Sequence, residues 1–121
     1  MDVLTIREYC LSLPYATEDT AFGEDNLLFR VCGKIFACLS LDGDNRLALK
    51  CNPDYALELR EQYYEIEPAW HWNKKYWNQL FLNSDLSKDL VLSLVRHSYS
   101  EAAAKLTKKQ RSEFPAIADV K

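Results

Sequence analysis

Apolar residues open the chain at helical spacing: Val3, Ile6, Cys10 and Leu13, followed by Pro14. Steps of three and four place them on one helix face, and Asp2 stands where an N-cap belongs. The next stretch, TEDTAFGEDN, has no apolar period and reads as a polar loop carrying Glu18, Asp19, Glu24 and Asp25. A solvated loop and a hard-cation site are both open to those carboxylates, although no fixed ligand spacing is present. Then the period changes to two. "LLFRVCGKIFACLSLDGDNRLALK" reads as three antiparallel strands, turning at Gly33-Lys34 and again in the DGDN loop. In that register Phe29, Val31, Phe36, Cys38, Leu47 and Leu49 share the core face. The opposite face mixes the cations Arg30, Arg46 and Lys50 with Leu28, Cys32, Ile35, Ala37, Leu39 and Ala48.

The helical period returns at "NPDYALELREQY", with Asn52 as cap and Pro53 at the first helical position. Pro68 then enforces an extended approach at Ile66-Glu67. "WNQLFL" reads as a short strand and Asn83-Ser84-Asp85 as the turn after it. Ser87 caps a long helix whose buried stripe is Leu90, Val91, Leu94, Val95, Ser98, Ala102 and Leu106. Lys105, Lys108, Lys109 and Arg111 gather at its C-terminal end, where cations complement the helix dipole. Helices and antiparallel strands without linker or repeat predict one α+β domain, an antiparallel sheet packed against helices.

At 121 residues the chain can bury a core without staples. Its four cysteines (Cys10, Cys32, Cys38 and Cys51) form no C-x-x-C pair and no zinc spacing, so reduced core thiols are expected. No metal or other cofactor is expected. MDVLTIREYC is not a signal peptide and no apolar run spans a bilayer, which points to a cytoplasmic protein without a membrane partner. The net charge is −3, but unevenly spread. Residues 1–69 hold six Lys/Arg against thirteen Asp/Glu, a balance of −7, and residues 70–111 hold eight against three, a balance of +5. A polyanion would approach that later, basic part.

All three tryptophans lie in "AWHWNKKYWNQLF", residues 69–81, interleaved with His71, Asn73, Lys74 and Lys75. Trp77 and Phe81 are expected in the core, Lys74 and Lys75 in an exposed turn. Lysines neutralise phosphates, exposed rings stack on unpaired bases, and the amides of Asn73 and Asn78 suit phosphates or base edges. Trp72, Asn73, Lys74, Lys75, Lys105, Lys108, Lys109 and Arg111 are therefore candidate nucleic-acid contacts, with Arg30, Arg46 and Lys50 a secondary set on the sheet. No catalytic motif appears: there is no phosphate-binding glycine loop and no G-x-S-x-G, and His71 and His97 lack motif partners.

Several segments, in order, match a known family: "REYCLSLP", "FGEDNLLFRV", "GKIFACLSL", "LALKCNPDYALELREQY", "NKKYWN" at 73–78 and "HSYSEAAAKLTKKQR" at 97–111. Over Val3 to Arg111 the chain resembles the MmcQ/YjbR family. The resemblance implies an α+β, double-wing fold and DNA binding, with Asn73, Lys74, Lys75, Trp77, Lys105, Lys108, Lys109 and Arg111 at the matching positions. Thr107 stands where the family pattern has proline. Residues 1–112 are thus expected to form one YjbR-like domain and 113–121 an extension. The expected function is a DNA-binding, regulatory protein without enzymatic activity. The alternatives are a protein-interaction module, or a small-ligand or metal site using the aromatic 69–77 segment.

Overall fold

The computed structural model describes residues 1–120. Helix α1, Val3–Ser12, starts where Asp2 accepts a hydrogen bond from the Thr5 amide. It leads into strands β1 (Ala16–Asp19), β2 (Asn26–Val31), β3 (Lys34–Ser40) and β4 (Arg46–Lys50). Helix α2, Pro53–Gln62, begins under the Asn52 cap, which accepts from the Asp54 and Tyr55 amides. Strands β5 (Glu67–Pro68) and β6 (Trp77–Phe81) precede helix α3, Lys88–Ala103, capped by Ser87. A short helix α4, Lys108–Glu113, and a 3-10 turn at Pro115–Asp119 follow. The strands form one antiparallel sheet in the order β1-β2-β3-β4-β6-β5, so the α+β expectation holds.

One face of the sheet is sealed. Helix α3 lies across β3 and β4, and α1 against β1 and α3. Phe29, Val31, Phe36, Leu39, Leu47 and Leu80 meet Ile6, Leu94, Val95 and Tyr99 in a single cluster. Phe36 and Tyr99 pack edge-on at 5.5 Å, and the Tyr99 hydroxyl donates to the Pro14 carbonyl at 2.5 Å, so burying that ring leaves no orphan donor. Phe114, Ile117 and Val120 fold back onto the same cluster.

Four local expectations change. The stretch expected to be loop from Thr17 starts as edge strand β1, paired to β2. Two of its four carboxylates are structural: Arg7 binds Glu18 at 2.5 Å and Arg30 binds Asp19 at 2.6 Å. The β2–β3 turn is Cys32-Gly33, not Gly33-Lys34, because φ is positive at both residues (47° and 84°) and Val31 pairs with Lys34. Two left-handed residues match the right-handed twist of the flanking strands. The register then slips: Arg30 pairs with Ile35 but Phe29 with Ala37, so Phe36 is an extra residue on β3. That bulge inverts the alternation beyond it. Ala37 and Leu39 join the sealed face, as Cys32 does at the turn, while Cys38 crosses to the other side with Leu28 and Ala48. Finally, the long helix does not run on through the basic cluster. It stops at Ala103, and Thr107 opens α4 with a capping box to Gln110. Lys108 and Lys109 therefore sit at a helix N-terminus, where the dipole does not explain them.

Candidate nucleic-acid interface

The second sheet face carries a smaller cluster of Leu28, Cys38, Ala48, Ala69 and Trp77, with Ile35, Trp72 and Tyr76 at its margin. No helix covers it. Its cover is the excursion between β5 and β6, residues 69–76. That excursion is pinned by backbone bonds from Ala69 to Trp77 (3.2 Å) and from Cys51 to Tyr76 (2.8 Å). The Trp70 amide donates to the buried Gln79 side chain at 2.9 Å. His71 takes a left-handed φ of 68°, and in the segment it turns Trp72 lies stacked on Trp77, centroids 4.2 Å apart and planes 28° from parallel. Phe22, from the loop after β1, adds a third ring 5.8 Å from Trp72.

Four cations approach these rings. The Cys32-Gly33 turn presents Lys34 beside Arg30, the end of β4 presents Lys50, and the turn after α3 presents Lys105. With Trp72 and Trp77 they line a groove of about 360 Å³. Lys50 pairs across the ladder with Trp77, and its ammonium lies 5.7 Å from the Trp77 and Tyr76 rings. Burial first, and then the neighbouring charges of Lys105 and Lys34, lower the Lys50 pKa against the opposing pull of Glu101 and Tyr76. Among the described residues none of the three lysines has a salt bridge, whereas Arg30 is held by Asp19. The carbonyl end of α3 lies against this site and helps such crowding to persist. The result is a recessed aromatic floor beside three lysines that have no salt bridge among the described residues.

Of the sequence candidates, the groove brings together Trp72 and Lys105 with Arg30 and Lys50. Lys75 lies alongside, its ammonium 5.5 Å from the same Tyr76 ring that Lys50 approaches. Asn73 and Lys74 are exposed in the turn. The Asn73 side chain accepts from the Lys75 amide at 3.0 Å, and the Lys74 carbonyl accepts from Arg60. Arg46 is elsewhere, at the other end of β4, with its guanidinium 5.3 Å from the Trp70 ring. Lys108, Lys109 and Arg111 are exposed on α4, and Arg111 donates to the Ala103 carbonyl at 3.3 Å. None of these three lines the groove.

Asn78 does not read a ligand. It is buried, accepts from Arg60 at 2.6 Å and donates to the Ala56 carbonyl at 3.2 Å. Trp77 is buried as expected (7% exposed), though on the aromatic side of the sheet, and Phe81 is only half-buried. Sequence reasoning missed two residues. Lys34 had a signal, since it adjoins Gly33 in the turn and follows Arg30 closely. Arg60, which ties α2 to the carbonyls of Lys74 and Trp77, had none.

The family model YjbR matches residues 11–101 of the chain. The chain belongs to the YjbR family. Among curated relatives it is similar to uncharacterized protein YbdF of Escherichia coli O157:H7, 30% identical over 108 residues and 88% of each chain. It is also similar to uncharacterized protein YjbR of Escherichia coli K12, 27% identical over 92% of this chain and 95% of that one. In three dimensions it is similar to Deinococcus radiodurans protein DR2400, of domain family DUF419, with a TM-score of 0.87 and 32% identity. That match covers 93% of this chain and 87% of the other. A Pseudomonas syringae protein matches with a TM-score of 0.73 and 25% identity, over 84% and 99%. These relatives bring YjbR kinship and fold.

Proposed function

We propose that this YjbR-family chain is a small cytoplasmic nucleic-acid-binding protein, regulatory rather than enzymatic, that engages DNA through the groove of Arg30, Lys34, Lys50, Lys105, Trp72 and Trp77. The observation carrying this reading is the meeting of three lysines without salt-bridge partners over two stacked indoles. Lysines so placed exchange mutual repulsion for phosphate contacts, and rings among them favour bases or sugars. A non-enzymatic role is supported by what holds the nucleophile and base candidates. Burial pushes the Cys10 and Cys51 thiols up to about 12, away from the reactive thiolate. His97 is engaged structurally, its Nε2 accepting from the Asn52 amide at 3.2 Å.

The test is fluorescence anisotropy with random-sequence DNA over a salt series, comparing the parent with Lys34→Glu/Lys105→Glu. Both side chains are exposed, so the fold should tolerate the change. If each lysine meets one phosphate, the double variant should flatten the slope of log affinity against log salt by about 1.4–1.8. Lys108→Glu/Lys109→Glu should change that slope much less. Equal slopes in the parent and the Lys34/Lys105 variant would remove the groove from the interface.

A further inference from the structure

Building on that reading, we infer that the groove takes an unpaired nucleotide strand, with one base stacked against Trp72 and its flanking phosphates at Lys34, Lys50 and Lys105. Three observations lead there. The first is shape. Reading a duplex from its major groove takes an element that protrudes, an α-helix or a two-stranded ribbon, into a cleft roughly 12 Å wide. Here the rings and cations line a concavity of about 360 Å³ formed by strand ends and turns, the scale of a single small ligand, roughly 300–1,000 Å³. The helix with the densest run of cations, α4, is six residues long and ties Arg111 to the Ala103 carbonyl.

The second observation is accessibility of the partner's chemistry. In a duplex each base is covered by its neighbours, so a recessed ring meets only the sugar-phosphate exterior. An unpaired base offers its face and can enter. The third is preorganisation. Trp72 is half-buried and held by Trp77 at 4.2 Å, with Phe22 beside it at 5.8 Å and itself 58% exposed. A ring already fixed loses little freedom when a base lands on it. Stacking of this kind is tolerant of sequence, because every base has a π-face.

The full-length chain should be titrated with a ten-residue oligodeoxythymidine, with a duplex of the same length and with thymidine monophosphate, following anisotropy and tryptophan fluorescence at fixed salt. The strand should bind at least about tenfold more tightly than the duplex and quench fluorescence, and Trp72→Leu should lower strand affinity by about tenfold. Duplex affinity should fall by much less than strand affinity in that variant. If Trp72→Leu fails to fold, the exposed Phe22→Leu is the substitute, with an expected loss of about threefold on the strand alone. Duplex binding equal to or tighter than strand binding, still sensitive to Lys34→Glu/Lys105→Glu, would overturn the inference and leave the nucleic-acid reading standing. Monophosphate binding as tight as the decamer would also overturn it, and would make the groove a free-nucleotide site. Absence of binding to strand and duplex alike at low salt would instead overturn the broader reading on which this one rests.

Discussion

The two ends of the sheet carry opposite charge. At one end the Cys32-Gly33 turn, the end of β4, the start of β6 and the end of α3 meet, and Lys34, Lys50 and Lys105 surround tryptophan rings. At the other, a cavity of about 330 Å³ is lined by Asp44, Glu65, Glu67 and Asp85 with Tyr64, which is 87% exposed. Those carboxylates form no metal-ligand group among the described residues. The difference teaches that the polarity of the fold is spatial, not linear. Arg30, Lys34 and Lys50 all come from residues 1–69, whose net balance is −7. Antiparallel pairing brings alternate turns to the same end, so cations scattered through an acidic half converge beside Lys105. An overall acidic chain can thereby offer a local basic site, and the acidic end orients it toward a polyanion.

The most damaging way to break this contrast is to remove Trp77. Its ring supports Trp72, lies near the Lys50 ammonium and forms the centre of the smaller cluster. Trp77→Ala is expected to cost about 3–5 kcal/mol, as large-to-small changes at buried aromatic positions do. Urea unfolding would measure it. A loss below about 1 kcal/mol would show that the second face contributes little to holding the basic end together.

A smaller effect is expected at Arg60, which does not line the groove yet positions its rim. Its guanidinium bonds Asn78 at 2.6 Å, Trp77 at 3.4 Å and the Lys74 carbonyl. Arg60→Ala leaves the buried Asn78 oxygen without that donor and should cost about 2–3 kcal/mol. Amide exchange should quicken across Asn73–Tyr76 and stay unchanged at the acidic end, which sharpens the contrast between a tethered turn and an independent one. Uniform acceleration throughout the chain would mean that Arg60 supports the whole fold instead.

How far the sequence disclosed this depends on the range of each interaction. Caps were legible at Asp2, Asn52 and Ser87 because a cap is a contact within three residues. Strand β1 was not, since ATED lacks apolar alternation and is held by arginines eleven residues away on either side. The bulge at Phe36 was illegible because both neighbours are apolar, so either face suits them, and the error carried Cys38, Ala37 and Leu39 to the wrong sides. The break before α4 had a visible signal, Thr107 with Gln110 three residues on, which the run of basic residues obscured. A capping threonine where the family pattern has proline still marks a helix start. Of the groove, Arg30, Lys50, Trp72 and Lys105 were singled out for their chemistry, but in two separate sets. Joining them required the register, and register is a long-range property.

The mildest test concerns His97, which lies beneath the basic end. It bears on whether that end weakens alone. Its Nε2 accepts from the Asn52 amide, directly after Lys50-Cys51, and its ring meets Tyr55 edge-on at 4.9 Å. Burial lowers its pKa from 6.5, with Glu101 pulling the other way. A histidine depressed in the native state binds fewer protons there than when unfolded, so stability rises with pH across the interval. The contribution is therefore complete above 6.5 and is lost as pH falls below that value toward the native pKa. Asp2 and Asp19, whose hydrogen bonds lower them from 3.8, act in a separate and more acidic window. Melting temperature should decline modestly as pH falls below about 6.5, and His97→Gln should flatten that decline. Protonation removes the acceptor from the Asn52 amide and adds a cation near Lys50, so amide exchange at Asn52–Tyr55 should respond before the acidic end does. An unaltered pH profile in His97→Gln would assign the decline to other groups and leave the two ends equally sensitive to acid.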